Sequence, residues 1–115
     1  MAVNKAKALT EGTMRLLFKI LDTAGTPTVV AVLPIAAAGD IAITDTGAGI
    51  YDLVIKNFKG PQGVVNVQAT SYVTSTMVGA TARSYSGDDL SLTIHVENDA
   101  STDTDSSVDV CVEAY

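Results

Sequence analysis

From Thr13 onward the chain alternates apolar and polar positions with a period of two. Met14, Leu16, Phe18 and Ile20 fall on one side and Thr13, Arg15 and Lys19 on the other. That is the pattern of a half-buried strand. It returns at Tyr51, Leu53 and Ile55 against Asp52 and Lys56, and at Val65, Val67, Ala69 and Val73 within 64–74. Leu90, Leu92, Ile94 and Val96 alternate with Ser91, Thr93, His95 and Glu97, and Val108, Val110 and Val112 with Asp109, Cys111 and Glu113. Three weaker segments also read as strands: 28–33, which Pro34 stops or places at an edge, 40–44, and 77–85 with a break at Gly79. Residues 22–27, 47–49, 59–63 and 86–89 supply turn chemistry, and 98–107 reads as a solvated polar loop. Only 36–39 has helical character, and it is too short to matter.

About eight short strands with no helix between them exclude a parallel βαβ architecture. They predict an all-β fold, an antiparallel β-sandwich. Jelly-roll connections or a small closed barrel fit the same strand count. The chain of 115 residues reads as an N-terminal arm, 1–12, followed by one β domain, 13–115. Apolar residues make up 47% of it and aromatics only 5%, with no Trp, so the core must be aliphatic. The net charge of −6 sets it against phosphate backbones and argues against nucleic-acid binding. A single cysteine, Cys111, permits no intrachain disulfide. No segment has the length of a signal peptide's apolar core or of a membrane span, so the expectation is a soluble protein made in a cytosol.

Four groups of residues invite a chemical reading. Asp45-Thr46-Gly47-Ala48 resembles the active-site turn of retroviral-type aspartic proteases. In that family two such turns meet in a homodimer and their carboxylates share a proton. Asp45 is thus the one catalytic candidate. The family also needs an apolar-apolar-Gly segment followed by a helix. Met77-Val78-Gly79 is the nearest match, with strand-like sequence after it, so a plain hairpin turn is the better reading. Asp99, Asp103 and Asp105 place oxygen ligands as an irregular calcium loop would, but Val108 and Ala114 stand where an EF-hand loop needs Gly and Glu. His95, Cys111 and Asp109 all face outward, so a Cys-His-Asp meeting is conceivable, with no nucleophile motif to support it. No glycine-rich phosphate loop is present, and no cofactor is expected. The arm carries Val3, Lys5, Lys7 and Leu9, which suit a segment that orders on a partner; a frayed terminus reads equally well.

The stretch 49–58, the turn and strand that follow through 70, the acidic Thr/Ser/Asp loop and the closing Val108-Asp109-Val110-Cys111-Val112 strand together resemble small virion proteins of tailed bacteriophages. The likeness is greatest to capsid decoration, or cement, proteins. It implies a structural, non-enzymatic protein made in the host bacterial cytoplasm and carried in the virion. It also implies a symmetric homo-oligomer, a trimer by preference, bound to the major capsid protein or another virion protein, with neither nucleic acid nor membrane as partner. A tail, connector or fibre-associated module has the same composition. A carbohydrate-binding sandwich does too, though such sandwiches carry more exposed aromatics.

Overall fold

The computed structural model describes residues 14–72, 75–98 and 104–115, with the side chains of all but 36, 75 and 76. The arm with Val3, Lys5, Lys7 and Leu9 lies outside the described residues, as do Thr13, Val73, Asp99 and Asp103. The elements run β1 (Met14–Thr23), β2 (Thr26–Leu33), a short 3-10 helix (Ile35–Asp40), β3 (Ile41–Gly47), β4 (Ile50–Ile55), β5 (Val65–Ser71), β6 (Ser75–Ser86), β7 (Asp89–Asn98) and β8 (Val108–Ala114).

Two four-stranded sheets pack face to face. Sheet A has the order β2-β1-β8-β5 and sheet B the order β3-β4-β7-β6, and every pairing is antiparallel. This is a sandwich and not a closed barrel. The jelly-roll alternative is not realised. A jelly roll nests its strands, first with eighth, second with seventh and so inward. Here only β1–β8 follows that rule, because β1–β2, β3–β4 and β6–β7 close as hairpins. Local turns decide this. Ala24 and Gly25 both have positive φ (52° and 83°), as a two-residue type I′ turn requires, and Gly87 has a φ of 61° at the first position of the β6–β7 turn.

The alternation read from the sequence sets the core. Met14, Leu16, Phe18 and Ile20 of β1, Tyr51, Leu53 and Ile55 of β4, Leu90 to Val96 of β7 and Val108 to Ala114 of β8 bury every second side chain between the sheets. Burying each large aliphatic contributes about 1.5–3 kcal/mol. The central strands of both sheets carry most of it.

Two expectations change, and one strand departs from regular geometry. Strand β6 is not broken at Gly79, which pairs with His95 of β7. Its register shifts lie between Ser75 and Met77 and between Ala80 and Ala82, where one extra residue bulges out and the ladder resumes. The helical stretch at 36–39 does matter, because Ala37 is buried at the seam between β2 and β3. Strand β2 carries a bulge opposite Phe18: Ala31 takes a φ of 54°, which turns Val32 into the core and Leu33 out to solvent.

Candidate functional site

Asp45 lies on β3, an edge strand of sheet B, and is exposed. Its Oδ1 accepts the Gly47 N–H at 3.1 Å, so the carboxylate closes its own turn. The residues after Met77-Val78-Gly79 continue as strand β6 to Ser86, with no helix. The helix that follows the apolar-apolar-Gly segment in that family is therefore not found after Gly79.

The end of the acidic loop is not the solvated segment expected. Asp105 Oδ1 accepts the Gly49 N–H at 2.9 Å, and Ser106 is buried. Gly49 sits at a φ of 69°, and a Cβ there would come within 2.5 Å of the Val96 carbonyl and 2.6 Å of the Thr104 carbonyl. Only glycine fits so close a backbone crossing. The pull inward comes from Tyr51, which is fully buried. A buried phenol needs partners. Tyr51 Oη donates to Asp22 Oδ2 at 2.6 Å and accepts the Ser106 N–H at 3.0 Å. Asp22 in turn accepts the Gly25 N–H through Oδ1, and its own N–H donates to Ser107 Oγ at 3.1 Å. Ser106 Oγ donates to the Ser107 carbonyl and meets Ser71 Oγ at 2.9 Å. Burial, aided by the Asp22 carboxylate, pushes the Tyr51 hydroxyl well above the usual phenol range.

This knot ties the β1–β2 turn, the β3–β4 turn and the entry to β8 together at one end of the sandwich. Its groups satisfy one another, and it holds structure in place. The sequence reading saw Tyr51 only as an inward-facing apolar position. The signal for more was that a phenol at a core position must be answered by polar groups. Among the described residues, no group of three or more His, Cys, Asp or Glu gathers to hold a metal ion. Asp105 is engaged by the Gly49 N–H.

The Cys-His-Asp meeting is excluded. Cys111 and Asp109 lie on β8 in sheet A and His95 on β7 in sheet B, each on the outward face of its sheet. The whole sandwich separates them.

What remains is a surface. On the outer face of sheet A three rows cross the strands in register: Arg15–Glu113–Asn66, Leu17–Cys111–Gln68 and Lys19–Asp109–Thr70. Arg15 Nε stands 3.9 Å from Glu113 Oε2. Lys19 Nζ lies 5.0 Å from the centre of the Tyr72 ring, whose hydroxyl donates to Asp109 Oδ1 at 3.1 Å. The Tyr72 hydroxyl, and then Asp109, hold the Lys19 ammonium above the usual lysine range. A depression of about 370 Å³ opens here, between the β2 bulge at Ala31 and the β8–β5 side. Leu17, Leu21, Leu33 (59% exposed), Val64, Tyr72 (56%) and Tyr115 all stand on this face. The outer face of sheet B exposes only Val54 and Met77 among its described large hydrophobics.

Charge divides the same way. Arg15 and Lys19 balance Asp109 and Glu113 on the sheet A face, whereas Lys56, Lys59 and Arg83 elsewhere stand against eight described carboxylates. The described acidic excess thus lies wholly off this face. The chain matches no protein-family model, no curated protein and no solved structure.

Proposed function

We propose that this chain is a structural virion protein of a tailed bacteriophage, a decoration protein that attaches to the outside of the capsid and stabilises it through protein contacts alone. Its partner on this reading is the major capsid protein, and it works as a symmetric homo-oligomer without cofactor. The observation that carries the reading is the split surface: one charge-balanced, partly aliphatic face on an otherwise acidic β body. Contiguous exposed apolar surface on a small protein marks a contact with another protein. An acidic exterior keeps many copies soluble and apart at high local density. The resemblance of the second half of the chain to cement proteins supplies the kind of assembly. A tail, connector or fibre-associated module of the same virion is the second reading, favoured by the same surface.

The test is cosedimentation of the purified protein with capsids stripped of decoration, alongside tails from the same particles. Saturable binding to capsids, with a raised capsid melting temperature, is the expected result. Binding to tails alone moves the protein to the second reading, and binding to neither overturns both.

A further inference from the structure

The outer face of sheet A presents its charges in two columns, and their order selects what can cover it. Strand β1 carries Arg15 and Lys19; strand β8, directly beside it, carries Glu113 and Asp109 in the same rows. Leu17 and Cys111 lie between them. We propose that this face is covered by a second copy of the chain, related by a two-fold axis that runs parallel to the strands over the seam between β1 and β8.

A half-turn about that axis keeps each row at its height and exchanges the two sides of the seam. Arg15 then lies over Glu113 of the second copy, and Lys19 over Asp109 of the second copy, each contact occurring twice. A two-fold perpendicular to the strands does the reverse, setting basic on basic and acid on acid. The face therefore specifies one of the two isologous arrangements. The rest of the molecule explains why the approach is made here. Among the described residues, those off this face carry an excess of carboxylates, whereas the charges on it balance. Leu33, Leu21 and Tyr72 flank the columns and lose their exposure in the contact. Sheets packed in this way stay within about 30° of aligned.

The size of the face sets the class of contact. Four strands spaced about 4.8 Å apart and about seven residues long give a contact roughly 19 Å by 23 Å. Covering it on both copies buries on the order of 1,000 Å², the low end for a specific interface, the size class of weak and transient contacts. This proposal rests on reading the sheet A face as a protein contact, takes that contact to be the one within the homo-oligomer, and leaves the capsid to the arm and the other surfaces. It replaces the trimer that the family resemblance implies, and it needs no capsid to be tested.

Sedimentation equilibrium of the full chain over a hundredfold dilution, at about 0.1 M salt to screen the long-range repulsion of the acidic bodies, tests it directly. The wild type should show a monomer–dimer equilibrium. Lys19→Glu alone sets a new carboxylate against Asp109 across the axis, and Asp109→Lys alone sets a new ammonium against Lys19. Each should raise the dissociation constant at least tenfold. A one-to-one mixture of the two variants should restore a dimer, because the mixed pair sets acid on base in both contacts across the axis. No effect within a single chain produces that rescue. Leu33→Asp should abolish association, while Val54→Asp on the opposite sheet should leave it unchanged. Circular dichroism identical to wild type establishes that each variant is folded. A monomeric wild type, a three-copy mass, a mixture that stays monomeric or an equal loss with Val54→Asp would each overturn the proposal. If the dimer forms and no capsid is bound, the interface stands and the decoration reading falls.

Discussion

At the scale of the residue, Tyr51 joins the end of β1 to the entry of β8 through one hydroxyl. Replacing it with Phe keeps the ring and removes the hydroxyl, which leaves Asp22 Oδ2 and the Ser106 N–H without their partner. Stranding buried polar groups costs about 1–3 kcal/mol, so Tyr51→Phe should lower the melting temperature measurably. The phenol also makes stability depend on alkaline pH. Its folded pKa lies above the unfolded value of about 10, so above that pH the unfolded chain has lost a proton that the folded one retains. The Tyr51 contribution is complete below pH 10 and falls as pH rises through the folded pKa. Melting curves between pH 8 and pH 11 should show the decline in the wild type and a smaller one in Tyr51→Phe; equal slopes would mean the phenol is not held neutral. A second pair of substitutions tests the faces of β7. Ile94 is fully buried, and Ile94→Ala should cost about 2–5 kcal/mol. Its neighbour Thr93 faces out, yet donates to Asp52 Oδ1 at 2.7 Å. Thr93→Ala should therefore cost about 1 kcal/mol, more than a plain surface change. Denaturant titration separates the two.

At the scale of the element, alternation made the strands legible and the edges were not. The buried positions of β1, β4, β7 and β8 follow directly from period-two runs, because each strand is long enough to show the pattern and is covered on one face only. Strands β2 and β6 hide theirs behind bulges. In β2 the phase changes at Ala31, so a strict alternation misassigns Val32 and Leu33. In β6 the extra residue before Ala82 places Arg83 opposite the buried Leu92, so that an exposed charge stands at the rim of the core face of an edge strand. A bulge and a charge on the core-side row are two ways to stop an edge from pairing with another chain. Strand β6 has need of them. It is the longest strand, it lies at the edge of sheet B, and it contains no Lys or Pro. Arg83→Val should leave the fold intact and make the protein associate in a concentration-dependent way on storage, as light scattering would register. A variant that stays as disperse as wild type would mean the bulges alone protect the edge. The Tyr51 knot was illegible for a different reason. It joins residues 22, 51 and 106, which no local pattern relates until the hairpins have been stacked.

At the scale of the whole molecule, composition indicated an acidic β body but gave no account of how its charge is arranged. That required the register: only when β1 and β8 are known to be neighbours do Arg15 and Lys19 cancel Glu113 and Asp109 and leave one neutral face. The arm is the remaining part of the attachment hypothesis. Strand β1 begins at Met14, paired with Ala114, and the core alternation starts there. Removing residues 1–10 therefore takes away no described core contact, and the truncated protein should melt as the full chain does. If the arm binds the capsid, the loss should appear there. Attachment through many symmetry-related sites multiplies a modest affinity per site, so removing one contact from every copy weakens decoration steeply. Part of the loss should depend on salt, because Lys5 and Lys7 go with the arm and their attraction to an acidic groove is screened over about 10 Å at 0.1 M. The measurement is occupancy on undecorated capsids at low and moderate salt, full-length against truncated protein. The full chain should lose occupancy as salt rises, and the truncated chain should start lower and change less. Equal occupancy at both salts would free the arm of any role and leave attachment to the surfaces of the sandwich.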